Sequence, residues 1–338
     1  MKPFTVETPE TIDEAAAILA DTEKYGYAVV LAGGTELMPS LKSMRSPKSP
    51  DVLVNLKTIS KDLSYIKEDG GVLKIGALAT LTQIAKDSII SAKYAALAQA
   101  AKAVASPELR NMGTIGGNIC QRLQCWYFCA DCNLFNCLRK EKGERICYAV
   151  DGDNRYHSIF GPAGGGCYAV NPSDTAAALL AFKAVVVTNK GTHDIGKFFD
   201  ADGEKTTVLD DDEIVTEIQV PSLPSNTKSA FKKFALRKSF DFPIVNCAAV
   251  ITKDSGNVSA ASIALNAVYN LPRKATGAED AIIGKAINDA NAEAAGVAAV
   301  VGATAMSVPA NGKTTCTGNK YMIQIAKVMV KRAIKECA

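Results

Sequence analysis

Cysteine is concentrated in one part of this chain. Seven of the ten cysteines lie between residues 120 and 167. The cysteines of a disulfide-bonded secreted protein would be spread along the chain instead. Thiolate sulfurs are soft ligands that suit zinc and iron–sulfur clusters. Cys129 and Cys132 have C-x-x-C spacing, and a wider set could instead close one four-cysteine site: Cys125, Cys137, Cys147 and Cys167. The window therefore predicts a metal centre, with structural zinc and an iron–sulfur cluster both open, and His157 as a candidate neighbour.

Two glycine pairs indicate loops that could bind a phosphate group. Gly33-Gly34-Thr35 follows an apolar run at residues 28–31, and Gly116-Gly117-Asn118 follows Thr114. Adjacent glycines permit positive φ and let successive backbone N–H groups converge on one point. Neither spacing is that of a dinucleotide-binding fingerprint or a P-loop. Each pair alone also fits an ordinary strand-to-helix turn, but together they favour a cofactor-binding framework.

The elements that would position these residues follow an α/β pattern. Thr11 and Glu14 have capping-box spacing at the start of a helix. Apolar runs predict strands at residues 28–31, 51–56, 72–76 and 184–188, and helical patterns cover 82–90, 92–105 and 175–182. Ser173 or Asp174 would cap the last of these helices. The cysteine-rich stretch shows neither helical nor strand periodicity. Metal ligands would supply the order that an apolar face does not.

A second domain follows a Pro- and Ser-containing linker at residues 221–226. Three strands are predicted at 230–237, 244–252 and 258–268, then two helices at about 277–298 and 319–336. This order predicts an α+β domain with a three-stranded antiparallel sheet and flanking helices.

Composition limits the functions that the chain could have. Its 338 residues carry a net charge of only +3, with no stripe of Lys and Arg, so we expect no nucleic-acid partner. No apolar run approaches the roughly 18 residues of a membrane span. The first residues do not resemble a secretion signal, which predicts a cytoplasmic location. No catalytic triad or zinc-protease motif stands out, so we expect no catalytic residues in this chain and substrate chemistry elsewhere.

Together the glycine loops resemble those of a known family. Leu31, Ala32, Gly33, Gly34, Thr35, Glu36 and Leu37, with the segment from Thr114 to Asn118, are similar to the two FAD loops of the medium, flavin-binding subunit of molybdenum hydroxylases. That family includes xanthine dehydrogenase and carbon monoxide dehydrogenase. Residues 106–111, 212–215 and 237–241 extend the similarity over nearly the whole chain.

The resemblance implies a fold and a set of FAD contacts. The fold is a two-lobed FAD-binding domain of the p-cresol methylhydroxylase type at residues 1–222, with lobes of about 1–60 and 61–222, and a C-terminal α+β domain at 226–338. The loop from Leu31 to Leu37 would wrap the pyrophosphate. The residues implied near the flavin or elsewhere on FAD are Thr114, Gly116, Gly117, Asn118, Asp174 and Lys238.

The cysteine-rich stretch at about 120–168 resembles an insertion of one subfamily, which contains 4-hydroxybenzoyl-CoA reductase and the bacterial three-subunit aldehyde oxidase. There the insertion carries a [4Fe–4S] cluster. The ligands implied are Cys125, Cys137, Cys147 and Cys167, at intervals of 12, 10 and 20 residues. Cys120, Cys129 and Cys132 depart from that pattern, so local spacing and resemblance favour different ligands.

The function implied is electron transfer. A large subunit with molybdenum cofactor would transform the organic substrate, and a small [2Fe–2S] subunit would relay electrons to FAD. The [4Fe–4S] cluster would connect FAD to an external carrier such as ferredoxin, with NAD or a quinone as other acceptors. The alternative is a self-contained flavin oxidoreductase with a structural zinc or iron–sulfur loop.

Overall fold

The structure is a computed structural model that describes residues 1–140, 146–200, 205–306 and 318–338. Three sheets, of three, five and four strands, follow one another along the chain. Within the described ranges, no helix is both long and apolar enough to cross a bilayer.

The first lobe is a parallel sheet in the order β1–β3–β2. Thr11 caps its first helix, since Thr11 Oγ1 accepts the Glu14 N–H at 3.1 Å, as the sequence predicted. The central strand is buried, and Val52 and Val54 pack against Ile18 of that helix. The elements of this lobe are β1 (Thr5–Glu7), α1 (Ile12–Ala20), α2 (Thr22–Tyr25), β2 (Ala28–Leu31), α3 (Leu37–Lys42), β3 (Val52–Asn55) and α4 (Ser60–Leu63).

The second lobe is an antiparallel sheet in the order β4–β5–β8–β6–β7 with helices packed on it. The predicted helices at 82–90 and 92–105 are three shorter ones, because Asp87 and Tyr94 leave helical geometry. The elements are β4 (Ile66–Asp69), β5 (Val72–Gly76), α5 (Leu81–Lys86), α6 (Ser88–Lys93), α7 (Ala95–Ala103), α8 (Pro107–Met112), α9 (Ile115–Ile119), α10 (Asp174–Ala181), β6 (Val185–Thr188), β7 (Thr192–Asp194), α11 (Ile195–Phe198) and β8 (Val215–Pro221).

The C-terminal domain has a four-stranded antiparallel sheet in the order β12–β11–β10–β9. The prediction of three strands is wrong, because a two-residue strand pairs with Ala264 and Leu265 and is too short to show alternation. The predicted helix at 277–298 is two helices, separated at Gly284, whose φ is +77°. The elements are β9 (Thr227–Phe234), β10 (Val245–Asp254), β11 (Asn257–Asn266), β12 (Arg273–Lys274), α12 (Thr276–Ile282), α13 (Asp289–Ala298) and α14 (Lys320–Glu336).

The cysteine-rich insertion between α9 and α10 contains only two short 3₁₀ turns among its described residues, at 131–133 and 164–166. Gln124 and Val170, which both lie within this segment, form a bridge. The segment contacts the rest of the chain through the Cys132 N–H, which donates to the Ser43 carbonyl at 2.7 Å, and through Ile159, which is buried in the core of the C-terminal domain. A small apolar group of Leu123, Cys167 and Ala169 is its own core. Such a core is too small to order the segment by itself.

Candidate functional site

The two glycine loops meet at Gly33. A Cβ atom at this position would lie 2.1 Å from the Met112 carbonyl oxygen and 3.1 Å from the Gly113 Cα. Only a glycine permits that approach, since both neighbours are backbone atoms. Gly33 therefore brings the loop after β2 against the segment that leads into α9. Residues that lie about 80 positions apart in the sequence thus form one surface.

The first loop presents unpaired backbone donors. Within the described part of the chain, the N–H groups of residues 33–37 make no hydrogen bond, and of the two glycines only Gly34 has positive φ, at +69°. Beside the loop, Arg45, Lys48 and Arg122 line a cavity together with Leu37. Free N–H groups next to cationic side chains suit a phosphate or pyrophosphate group. The loop from Leu31 to Leu37 therefore fits the FAD contact expected of it.

The second loop has a different structure from the one predicted. Gly116 and Gly117 lie in the short helix α9 and not at positive φ. The Gly116 N–H donates to the Ala77 carbonyl at 3.0 Å, and the Gly117 N–H donates to Thr114 Oγ1 at 3.1 Å. Because these donors are already used, the prediction of a second convergent set of N–H groups is wrong. Gly116 instead allows α9 to pack on Ala77, whereas Gly117 is exposed.

Asn118 is held in a single orientation. Its Oδ1 atom accepts hydrogen bonds from Ser173 Oγ at 2.7 Å and from Thr175 Oγ1 at 2.6 Å. Since hydroxyl groups donate to the amide oxygen, the Nδ2 group is the part of the side chain left for a ligand. The sequence identified Asn118 as a candidate, and its contact with FAD stays a prediction.

Asp174 is buried at the interface with the C-terminal domain. Its oxygens accept from Lys233 Nζ and from Asn246 Nδ2, both at 2.7 Å. Burial raises the pKa of this carboxyl, against the opposing effects of Lys233 and Asn246. Ser173, not Asp174, is the helix cap, because Ser173 Oγ accepts the Ala176 N–H. A direct FAD contact of Asp174 stays a prediction, and its observed partners tie the two domains together.

Lys238 lies in an exposed segment between β9 and β10. The guanidinium group of its neighbour Arg237 binds Asp241 with three contacts of 2.7 to 3.1 Å and lies over the Phe240 ring. The role of Lys238 beside the flavin stays a prediction.

The four cysteines nominated by the resemblance line one cavity. Cys125, Cys137, Cys147 and Cys167 enclose it together with apolar side chains such as Phe128 and Leu138. Burial raises the pKa values of the Cys125, Cys137 and Cys147 thiols. A positively charged metal centre would offset that effect by binding the thiolates.

Cys129 and Cys132, which local spacing nominated, do not line this cavity. Cys132 is exposed, and Cys129 Sγ lies near the Leu123 carbonyl and Gln124. Cys120 packs on the core of the second lobe instead.

The four sulfurs are not arranged around a single ion. Among the described residues, no group of three or more His, Cys, Asp or Glu side chains is close enough to hold one metal ion. A zinc ion would draw four sulfurs to within about 2.3 Å of one centre. An iron–sulfur cube binds each cysteine at a separate iron atom, and its thiolates are therefore farther apart.

His157 and Asn270 contact two of these sulfurs. His157 Nε2 lies 3.2 Å from Cys125 Sγ, and burial lowers the pKa of this imidazole to about 4. Asn270 Nδ2 donates to Cys167 Sγ at 3.4 Å. Sequence reasoning noted His157 but missed Asn270, because Asn270 belongs to the other domain.

Three buried asparagines of the C-terminal domain form a row along the segment at 167–174. Asn246 donates to Asp174, Asn266 donates to Asn171 and to the Ser173 carbonyl, and Asn270 donates to Cys167. Asn246 and Asn266 are direct partners across β10 and β11. The asparagine row therefore connects the cysteine cavity with the residues that orient Asn118.

The fold and the glycine loops place the chain in a class of flavoproteins. Residues 2–223 match the family model of the FAD binding domain in molybdopterin dehydrogenase. Residues 229–337 match the CO dehydrogenase flavoprotein C-terminal domain. The chain belongs to the FAD-binding, medium subunits of the molybdenum hydroxylases.

Individual relatives agree with this assignment. The chain is 33% identical over 273 residues to the aldehyde oxidoreductase FAD-binding subunit PaoB of Escherichia coli, covering 78% of this chain and 82% of PaoB. It is 28% identical to the carbon monoxide dehydrogenase medium chain of Hydrogenophaga pseudoflava over 98% of this chain and 96% of that one. A solved structure of carbon monoxide dehydrogenase from the same organism superposes with a TM-score of 0.73 at 27% identity, covering 100% of this chain and 98% of that chain. The predicted two-lobed domain followed by an α+β domain is confirmed.

Proposed function

We propose that this chain carries electrons between FAD and a [4Fe–4S] cluster within a molybdenum hydroxylase complex. The observation that carries the proposal is the single cavity lined by Cys125, Cys137, Cys147 and Cys167. It lies in the same polypeptide as the paired glycine loops of a family whose members bind FAD. A flavin exchanges electrons singly or in pairs, and a cluster exchanges them singly, so the two would connect one-electron and two-electron partners.

The chain's own residues would hold the flavin by backbone and amide donors. The free N–H groups from Gly33 to Leu37 would bind the pyrophosphate, and Arg45 beside them would add positive charge. Gly117, which is exposed on α9, would form the wall on which the flavin lies, while Thr114 and Gly116 are buried and would hold α9 in place. Asn118 would donate from Nδ2, because Ser173 and Thr175 occupy its oxygen.

The cluster site would be closed by residues that exclude water. Cys137 and Cys167 are buried, and Phe128 and Ala169 lie beside them. Binding of the cluster would supply the order that this weakly apolar segment lacks, and it would offset part of the entropy lost on fixing the loop.

The partners follow from the relatives. The matching subunit of carbon monoxide dehydrogenase is called its medium chain, and PaoB is called the FAD-binding subunit of an aldehyde oxidoreductase. We expect a large subunit with molybdenum cofactor, a small [2Fe–2S] subunit, and an external carrier such as ferredoxin, NAD or a quinone. The cytoplasmic location and the absence of a nucleic-acid partner stay predictions.

The test is a set of single Cys→Ser substitutions in the full chain. Iron and zinc content, the visible spectrum and the low-temperature EPR of the reduced protein are measured for each variant. We expect four irons per chain in the wild type and loss of the cluster signal in the Cys125, Cys137, Cys147 and Cys167 variants.

Cys129→Ser and Cys132→Ser are the matched controls, because both residues lie in the same loop and outside the cavity; they should keep the signal. Zinc without iron, or loss of the cluster signal only in the two controls, would contradict the proposal. Turnover of an organic substrate by the isolated chain would favour the self-contained flavin oxidoreductase.

A further inference from the structure

Asn270 makes an unusual contact for a residue of the C-terminal domain. It lies in the bend between β11 and β12, is fully buried, and donates Nδ2 to Cys167 Sγ at 3.4 Å. The Ala169 N–H approaches the same sulfur at 3.4 Å. The Cys167 sulfur therefore accepts from two N–H groups, one of them supplied by another domain.

The contact of Nδ2 with a sulfur distinguishes Asn270 from the other two residues of the asparagine row. The Oδ1 atoms of Asn246, Asn266 and Asn270 are all buried without a hydrogen-bond partner among the described residues. A neutral thiol is a weak acceptor. A thiolate accepts a much stronger, charge-assisted hydrogen bond, so the orientation of Asn270 suits an anionic sulfur.

His157 makes the corresponding contact with a second cysteine, at 3.2 Å from Nε2 to Cys125 Sγ. A thiolate bound to iron carries no proton, so the hydrogen in this contact would belong to Nε2. Asn319, immediately before α14, donates Nδ2 to the His157 carbonyl at 2.8 Å and fixes the backbone there. Both donors to sulfur are thus held by the C-terminal domain.

We propose that Asn270 and His157 are positioning residues that set the reduction potential of the cluster by donating N–H groups to Cys167 and Cys125. This inference rests on the proposed function, since it requires a cluster in the cavity. Reduction adds one electron and no proton, and the added negative charge is shared with the thiolate sulfurs. N–H donors stabilise the reduced form more than the oxidised form, and they raise the potential.

The experiment is an EPR-monitored redox titration of the full chain, with dithionite as reductant. Asn270→Leu keeps roughly the same side-chain volume and removes the Nδ2 donor. We expect reduction to become about tenfold less favourable, a shift of about 59 mV to more negative potential for a one-electron couple. Asn270→Asp replaces the donor by a carboxylate and should shift the potential in the same direction.

Asn266→Leu is the matched control, because Asn266 is an equally buried residue of the same asparagine row that donates to Asn171 and to the Ser173 carbonyl but not to a sulfur. It should leave the cluster potential unchanged. His157→Phe should also lower the potential. His157→Gln retains an N–H donor, so its cluster potential should stay close to that of the wild type.

The outcomes separate the two proposals. A wild-type chain without iron overturns the proposed function and this inference together. A wild-type cluster whose potential is unchanged in Asn270→Leu, Asn270→Asp and His157→Phe overturns this inference alone. Loss of iron from both Asn270 variants, with iron retained in Asn266→Leu, would make Asn270 a requirement for holding the cluster and would overturn its role in setting the potential.

Discussion

Gly33 and Gly117 belong to similar motifs but have different structural roles. Gly33 lies against the Met112 backbone, where a Cβ atom has no space. Gly117 is exposed on α9, and a Cβ atom there would approach only Thr114 Oγ1, at 3.0 Å. The first glycine is therefore required for two loops to meet, and the second leaves open the surface on which a ligand would lie.

Gly33→Ala tests the first role. A Cβ atom 2.1 Å from a backbone oxygen must push the two loops apart. We expect the variant to lose about 1–3 kcal/mol of unfolding free energy and to bind no FAD. Urea unfolding of the apo chain and flavin content after purification measure the two effects. Wild-type stability with a full complement of FAD would contradict the close approach.

Gly117→Ala tests the second role and is the matched comparison. Alanine favours the helix by up to about 1 kcal/mol over glycine, so the free energy of unfolding should not fall. We expect FAD to bind about tenfold more weakly, because the added methyl group occupies the exposed surface proposed for the flavin. Fluorescence titration of the apo chain with FAD measures the affinity. Unchanged affinity would remove Gly117 from the binding wall.

At this scale the sequence identified the glycine loops, Asn118 and the four cavity-lining cysteines. It could not show that the N–H groups of Gly116 and Gly117 are already used, because their acceptors, the Ala77 carbonyl and Thr114 Oγ1, are known only from the structure. Lys233 and Asn270 were missed as well. Their partners, Asp174 and Cys167, lie in the other domain, and no local pattern marks such a contact.

Helices α13 and α14 are joined by an ion cluster at the start of α13. Asp289, the first residue of α13, accepts from Lys331 and from Lys335 at 2.7 Å. These two lysines lower the pKa of Asp289 to about 2. A carboxyl whose folded pKa is lowered contributes stability above its unfolded pKa of about 3.9. That contribution is lost as the pH falls through about 2.

Asp289→Asn should therefore have a pH-dependent effect. We expect the difference in urea midpoint between wild type and variant to be largest above about pH 5 and to narrow below about pH 4. Asp254→Asn is the control, since within the described ranges that carboxylate contacts only the Ser255 hydroxyl, at 3.4 Å. A difference that is constant from pH 7 to pH 3 would contradict the role of the ion cluster.

Seven of the twelve strands in the described residues followed from sequence patterns, but the seven-residue strand β8, which pairs with β5 and β6, was not predicted. The helix predicted at 277–298 is divided because Gly284 adopts positive φ, although the apolar pattern continues on both sides. Strand β12 is only two residues long and is defined by its pairing with β11. Such short elements exist through tertiary contacts and leave no pattern of their own.

The two domains are joined by a buried ion pair. Lys233 of β9 donates to Asp174 and to the Ala103 carbonyl at 2.9 Å. Both side chains are largely shielded, with 11% and 2% exposure. Removing one partner of such a pair leaves an uncompensated charge in the interior.

Lys233→Met should destabilise the apo chain by about 3–5 kcal/mol, because Asp174 is then buried without its cation. The double variant Lys233→Met, Asp174→Leu should recover part of this loss, since it buries no charge. Urea unfolding of the wild type, the two single variants and the double variant gives the coupling free energy between Lys233 and Asp174. Additive effects of the two substitutions would show that the pair does not join the domains.

The contacts of the asparagine row also join parts of the chain that are synthesised at different times. Cys167 leaves the ribosome 103 residues before Asn270, the residue that contacts its sulfur. His157 likewise precedes Asn319, whose amide fixes its backbone, by 162 residues. The cysteine loop is therefore synthesised long before its interior partners. The residues that line the cysteine cavity all lie between Cys125 and Ala169, so they too are synthesised before these partners. Under the cluster assignment, a chain that stops at the linker would keep all four cysteine ligands but lack Asn270 and Asn319, and we expect its cluster to have a more negative potential.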